Sequence, residues 1–290
     1  MSTSKTQTMP EMLPAVPTVI IPIHNAPQAL KACLESVQRT VPMETEVLLL
    51  DDASDDPDIP PLLRQFLGSA GPAWRLEQQT RNLGFVGTVN RGMQMTQGNV
   101  VLLNSDTVVS SGWLEGLQRC LDSDPMIATA TPWTNNGEIV SLPRFCSNNP
   151  MPPDLEALAN VIALSGSPAY PEIPTAVGFC MAISRSAIRQ LGVFDQELFG
   201  LGYGEENDFS MRALAAGFRN VLCDDVYVAH RGGCSFLPRG LSPNADSMQK
   251  LLSRHPGYMQ IIEEFIALDP LSRRREEVLE AIHEAAVSMG

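Results

Sequence analysis

The sequence contains no apolar run approaching the ~18 residues that a membrane-spanning helix requires. It also has no C-x-x-C pair. The six cysteines, Cys33, Cys120, Cys146, Cys180, Cys223 and Cys234, are scattered, a spacing that suits neither a zinc site nor a secreted disulfide framework. Free thiols are the expectation. Basic residues are scarce, 20 against 33 acidic ones for a net charge of −13, which argues against nucleic acid or an anionic membrane surface as a general partner. An anionic substrate then needs local help, such as a bound cation. No G-K-[ST] occurs anywhere, and the first apolar run leads into His24-Asn25-Ala26-Pro27 rather than a glycine-rich turn. P-loop and dinucleotide readings are weakened accordingly. The opening Met1-Ser2-Thr3-Ser4-Lys5 precedes polar residues rather than a signal-peptide apolar segment, so a cytoplasmic location is expected.

What is present is a 290-residue chain with 44% hydrophobic content, enough for one large core plus an appendage. Residues 1–17 carry three prolines and little periodicity and read as a flexible leader. Residues 18–240 read as the main domain and 241–290 as a helical extension. Val19-Ile20-Ile21 is a short buried-strand run, and Pro27 opens a helix whose apolar residues Leu30, Cys33, Leu34 and Val37 recur at helical spacing. The alternation continues with a strand at Glu46–Leu50, a helix at Leu62–Leu67, a strand at Trp74–Gln78, a helix at Val86–Thr96 and a strand at Val100–Leu103. Such alternation predicts an α/β fold with a mostly parallel central sheet covered by helices on both faces.

From about Pro132 to Pro174 the sequence turns irregular around one helical stretch near Leu155–Leu164. A strand is predicted at Ala176–Ile183, then a short helix closed by Gly192, a glycine-spaced loop at 200–204 and a helix from Glu205 to Ala216. Two brief strands follow, Val221–Cys223 and Tyr227–Ala229. The last 45 or so residues show helical periodicity broken by Pro256 and Pro270. Those helices can pack on the core, self-associate, touch a membrane surface or dock a partner; packing on the core is the simplest reading.

Open parallel sheets bind ligands at the carboxyl ends of their strands, so the polar clusters there are the first candidates. Asn104-Ser105-Asp106 exposes a carboxylate where a strand ends. It suits a hard divalent cation, or equally the N-cap of a helix starting near Ser111. Asp51-Asp52-Ala53-Ser54-Asp55-Asp56 holds four carboxylates in six residues, too many for capping alone. Asp51 and Asp52 can meet a base or ribose, whereas Asp55 and Asp56 read as a solvated turn. Glu205-Glu206-Asn207-Asp208 opens a helix, where acidic residues favour the macrodipole whatever their function; after the preceding glycines, a carboxylate there can also serve as a general base. A lone histidine such as His230 would ordinarily be structural, and His24 stands at a strand end.

Taken in order, these segments resemble glycosyltransferase family 2, including its rhamnosyltransferase-like members. The resemblance spans roughly Val19 to Phe236 and rests on Val19-Ile20-Ile21-Pro22-Ile23-His24-Asn25, Leu50-Asp51-Asp52-Ala53-Ser54-Asp55, Asn82-Leu83-Gly84-Phe85 with Asn90-Arg91-Gly92, and Leu103-Asn104-Ser105-Asp106-Thr107. Later come Gly178-Phe179-Cys180-Met181, Gly192-Val193-Phe194-Asp195, Gly202-Tyr203-Gly204-Glu205-Glu206-Asn207-Asp208 and His230-Arg231-Gly232-Gly233-Cys234-Ser235-Phe236.

The resemblance implies a GT-A fold with a helical tail, and an inverting transfer of sugar from a UDP- or dTDP-linked donor to a hydroxyl of a glycan or glycolipid, in bacterial surface polysaccharide synthesis. It implies Glu206 as catalytic base, flanked by Glu205 and Asp208. Donor contacts fall to Pro22, His24, Asn25, Asp51, Asp52, Arg81, Asn82, Gly84, Asn90, Asn104, Ser105 and Asp106, and a Mn²⁺ or Mg²⁺ ion to Asp106 and His230. Asn104 stands where the family commonly has a first aspartate, and Glu206 where aspartate is common. Arg81, Arg91, Arg212 and Arg231 are candidates to assist the leaving group. A nucleotidyltransferase, which normally has a glycine-rich basic loop missing here, and a non-catalytic nucleotide-sugar or partner-binding module are the rival classes.

Overall fold

A computed structural model describes residues 16–232 and 245–288. The leader up to Ala15, and Gly233-Cys234-Ser235-Phe236 from the resembling segments, lie outside the described residues. In chain order the strands are β1 (Thr18–Ile23), β2 (Val47–Asp51), β3 (Trp74–Gln78), β4 (Val100–Leu103), β5 (Thr107–Val108), β6 (Ile127–Trp133), β7 (Cys180–Ile183), β8 (Arg219–Tyr227) and β9 (Ala229–His230). Seven of them form one sheet in the order β3-β2-β1-β4-β7-β6-β8, while β5 and β9 pair separately. The sheet is mostly parallel. Only β7 runs against its neighbours β4 and β6.

The helices are α1 (Pro27–Thr40), α2 (Ile59–Ser69), α3 (Gly84–Met95), α4 (Trp113–Ser123), α5 (Leu155–Leu164), α6 (Arg185–Leu191), α7 (Gln196–Phe199), α8 (Glu205–Ala215), α9 (Ala245–Arg254), α10 (Tyr258–Leu268) and α11 (Ser272–Ser288). Successive strand residues point to opposite faces, and the core divides accordingly. Val19, Ile21, Leu49, Val101 and Leu103 pack with residues of α1, α2, α4 and α5 on one side. Ile20, Leu48, Leu50, Val100 and Leu102 pack with α3, α6 and α8 on the other. Burial on both faces explains why these strands read as continuous apolar runs rather than alternating ones.

Three expectations shift. Ile127–Trp133 forms β6, which the irregular reading from Pro132 passed over: its run of alanine, threonine and proline is wholly buried and shows neither alternation nor large aliphatic residues. The two predicted strands at 221–223 and 227–229 are one nine-residue strand, β8, followed by the short β9. The strand at 176–183 shortens to four residues, because Ala176–Phe179 run along the rim instead. Five cysteines among the described residues, including Cys33, Cys180 and Cys223, are free thiols.

The C-terminal helices pack on the core. Leu251 of α9 and Tyr258 of α10 join the α3/α8 side, and Val278 of α11 joins the other. α11 is pinned by Arg274, whose Nε donates to the fully buried Asp224 carboxylate at 2.7 Å and whose Nη1 donates to the Ser165 carbonyl at 3.0 Å. Removing one partner of a buried pair strands the other charge, which typically costs about 3–5 kcal/mol. Arg274→Met is therefore expected to cost about 3–5 kcal/mol of stability, read as a lower urea midpoint, and an unchanged midpoint would contradict this anchoring.

Candidate active site

β1 has β2 on one side and β4 on the other, so connections leave in opposite directions at the carboxyl ends of β1 and β4 and open a crevice there. A cavity of about 410 Å³ occupies that place, a size suited to a small ligand. It is lined by Pro22, Ile23 and His24 at the end of β1, Asp52 after β2, and Asn104, Ser105 and Asp106 after β4. Because β7 runs antiparallel, with Cys180 opposite Leu103, the chain entering it also reaches the same rim and contributes Gly178 and Phe179.

The β5–β9 ribbon brings Asp106 and His230 together. Thr107 pairs with His230, and the Arg231 amide donates to the Asp106 carbonyl at 3.1 Å. His230 Nε2 then lies 3.4 Å from Asp106 Oδ1, while its Nδ1 is 2.7 Å from the Asn136 carbonyl. A carbonyl only accepts, so Nδ1 carries the hydrogen and Nε2 turns its lone pair toward a carboxylate. That juxtaposition is unfavourable unless a proton or cation stands between them. Burial opposes charging the imidazole, but the hydrogen bond and charge of Asp106, with the Asn136 carbonyl, outweigh it and raise the His230 pKa above its ordinary value. Phe179 stacks on the imidazole with centroids 5.2 Å apart. A backbone carbonyl holding the far nitrogen is how metal-ligating histidines are commonly oriented. Asp106 serves no helix: α4 begins at Trp113 behind Gly112.

Glu205 and Glu206 enter from the first turn of α8, directly after Gly204. Gly204 has φ +100, and a Cβ there would sit 2.8 Å from the Phe199 ring, so only glycine permits this entry. Both carboxylates line the cavity, and Oε2 of each is buried without a hydrogen-bond partner. Burial pushes the Glu206 carboxyl up to about 7, backbone N–H groups holding it down and Glu138 adding to the rise. Burial, then Glu206, pushes Glu205 well above the ordinary carboxylate range.

Gly84 is also required. At φ +76, its Cβ would lie 2.6 Å from the Leu201 Cα, which would drive the 200–204 loop off the cavity. Asp52 faces the cavity but is already engaged, accepting from the Leu83 amide at 2.6 Å and the Gly84 amide at 2.9 Å at the start of α3. His24 and Asn82 are neighbours, with Asn82 Nδ2 3.2 Å from His24 Nδ1.

Five residues named from the sequence do not line the cavity. Asp51 accepts from the Ser54 amide and Gln78 Nε2. Asn25 braces the loop at Asp55 and Asp56. Asn90 clamps the Phe194 backbone from both sides. Arg81 is exposed on the surface. Asp208 is fully buried on α8, accepting from Arg212 at 2.7 Å, His255 at 2.8 Å and Arg254 at 3.2 Å; its role there is to bind α9 to α8. The four candidate arginines also miss the cavity: Arg91 pairs with Glu77 and Arg212 with Asp208. Among the described residues the lining contains five carboxylates (Asp52, Asp106, Glu138, Glu205, Glu206) and neither lysine nor arginine. Sequence reasoning missed Glu138, Ser247, Met248, Leu251 and Tyr258 in this lining. Only the helical periodicity of α9 and α10 hinted at a buried face there.

This sheet, with its cleft along the carboxyl rim, has the GT-A fold of glycosyltransferases, as its likeness to solved structures shows. A mannosyltransferase, PcManGT from Pyrobaculum calidifontis in complex with GDP-Man and Mn2+, matches with TM-score 0.60 at 18% identity over 95% of this chain and 76% of that one. GalNAc-T7 with UDP, GalNAc and Mn2+ matches with TM-score 0.61 at 17% identity over 93% and 55%. Residues 1–349 of S. aureus TarS in complex with UDP-GlcNAc match with TM-score 0.57 at 15% identity over 92% and 80%. The family model for glycosyl transferase family 2 matches residues 18–192, and the chain belongs to that family. No curated protein matches it significantly. Among the described residues no helix is long and apolar enough to cross a membrane.

Proposed function

We propose that this glycosyltransferase moves a sugar from a UDP- or dTDP-linked donor to a hydroxyl of a glycan or glycolipid, with inversion at the anomeric carbon, Glu206 acting as base and Asp106 and His230 holding a divalent cation. The observation that carries the reading is that Glu206 shares one cavity with the Asp106–His230 pair, in a lining with five carboxylates and no lysine or arginine among the described residues. A diphosphate meets no positive side chain among those described residues, so a bound cation is what would balance its charge.

The donor set fits a hard cation: a carboxylate oxygen and an imidazole nitrogen already held at 3.4 Å with the second ring nitrogen anchored. Among the described residues no third acidic, histidine or cysteine side chain joins them, so Asp106 and His230 would be the two protein side chains to hold the ion, a small ligand number of the kind Mg²⁺ and Mn²⁺ accept beside substrate phosphates. When bound, the ion neutralises charge on the departing diphosphate.

The chain's own residues do the rest. Glu206 takes the proton from the acceptor hydroxyl as its oxygen bonds to the anomeric carbon and the bond to the diphosphate breaks on the opposite face. The His24, Asn82 and Asn104 side chains offer donors and acceptors along the wall that faces the nucleotide.

A base must be unprotonated to act, and Glu206 is pushed up to about 7. kcat/KM should therefore fall about tenfold per pH unit below about pH 7 and level off above it. A profile that stays flat down to about pH 5.5 would contradict Glu206 as base. Thermal stabilisation by a panel of UDP-, dTDP- and GDP-sugars with Mn²⁺ tests the donor class, since a ligand at a hundredfold its Kd adds about 2.7 kcal/mol; no shift with any of them would overturn the reading.

A further inference from the structure

One wall of the cavity takes no part in the proposed transfer. Met248 and Leu251 of α9 and Tyr258 of α10 line it, and all three lie beyond the residues matched by the family model. The wall is fixed relative to the base, because the buried Asp208 on α8 accepts from His255 at 2.8 Å and from Arg254 at 3.2 Å, tying the end of α9 to the helix that carries Glu206.

Tyr258 is only 6% exposed. Among the described residues its hydroxyl has no hydrogen bond, yet the residue lines the cavity. Burial, reinforced by Glu206 and Glu138, keeps the phenol protonated, so it is available as a donor. The residue lines the cavity, so its hydroxyl can donate to an occupant there, as the polar tip of a largely buried tyrosine commonly does.

Glu138 lines the same cavity, and its backbone is held at the left-handed φ of +50, an uncommon conformation for a non-glycine residue. Its charge adds to the rise in the Glu206 pKa, which places Glu138 within electrostatic reach of the base. Glu205, 5% exposed, also presents an unpartnered Oε2 in this region. The Glu138 carboxylate, joined by Glu206 in the unprotonated form that acts as base, meets no lysine or arginine among the described lining residues, which makes this end hostile to an anion. The apolar Met248, Leu251 and Tyr258 ring offer a surface for the C–H face of a sugar ring.

We infer that α9, α10 and Glu138 form the acceptor subsite, and that it takes an uncharged glycosyl unit, hydrogen-bonded by Tyr258 with a hydroxyl toward Glu206, while rejecting acceptors that carry a carboxylate or phosphate there. This rests on the glycosyltransferase reading, and donor binding is measured separately so that the two can fail independently.

With the donor identified by thermal shift, transfer is assayed on matched pairs of hexosides and the corresponding uronides, and donor Kd is measured for each protein. The wild type should prefer the neutral member by at least about tenfold in kcat/KM. Glu138→Gln should shrink that preference severalfold, and Tyr258→Phe should raise the acceptor KM severalfold, both with donor Kd unchanged, which also certifies that the variants fold. Equal or better use of uronides by the wild type overturns the inference. So does a pair of variants with unaltered preference and acceptor KM, or a protein that binds donor and transfers to no neutral hexoside. Absence of donor binding overturns the underlying reading together with this one.

Discussion

Glu206→Gln is expected to lose about 10²–10⁴ of turnover, the usual contribution of a general base, while donor Kd with Mn²⁺ stays within a factor of two or so. The substituted amide keeps the side chain's shape but cannot take the acceptor proton. The same substitution should stabilise the protein at alkaline pH. Burial raises the Glu206 pKa from the ordinary 4.5 to about 7, so the folded state holds a proton that the unfolded chain has released. Below about pH 4.5 both states are protonated and the wild type bears no penalty; between about pH 4.5 and 7 stability is lost as pH rises, and above 7 the loss is complete. The glutamine variant carries no such charge. Its melting temperature should exceed that of the wild type at pH 8 and the difference should vanish toward pH 4.5. Loss of activity with gain of stability marks a residue held for chemistry rather than for the fold. Unchanged turnover would remove Glu206 from the reaction.

The second large effect is expected at Asp106. Replacing it with asparagine removes one of the two side chains positioned to hold the cation, in a cavity with no lysine or arginine among its described lining residues. A unit charge near ~4 Å in a partly screened site is worth about 4 kcal/mol, so the Mn²⁺-dependent part of donor affinity should fall by about 10²–10³. Calorimetry of the nucleotide diphosphate with and without Mn²⁺ reads this directly. Asn104→Asp, on the same rim, should act oppositely and tighten Mn²⁺ binding. Equal donor affinity in Asp106→Asn and wild type would contradict the role of the cation.

Both residues stood out as candidates in the sequence, and both line the cavity, because each sits where an element changes. Asp106 follows the apolar β4, and Glu206 follows glycines at the head of α8. The chemistry of a strand or helix end is local, and so it shows in one dimension. His230 was legible only through family resemblance: alone it reads as structural, and what gives it meaning is the ribbon partner Thr107, far away in the chain. The acidic run at 51–56 misled for the opposite reason. Asp51 ends β2 and Asp52 follows it, yet Asp51 is consumed by Ser54 and Gln78, whereas Asp52 reaches the cavity and caps the start of α3. Asp208 looked like a flank of the base and instead fastens α9. β6 escaped notice because a small, threonine-rich strand buried on both faces shows no period. The contribution of α9 and α10 was hidden because periodicity reveals an apolar face but not what it faces. Glu138 had no signal at all, since its place depends on the fold of the whole 134–149 segment.

The central claim is that Asp106, His230 and Glu206 work on a single bound donor. Crystals of the Glu206→Gln variant soaked with donor and Mn²⁺, with diffraction collected at the manganese edge, test it most directly. The account predicts one anomalous peak within coordination distance of both the Asp106 carboxylate and His230 Nε2, touching the diphosphate, with the anomeric carbon turned toward the substituted side chain at the head of α8. A peak bound elsewhere, or a donor whose sugar points away from that side chain, would contradict it.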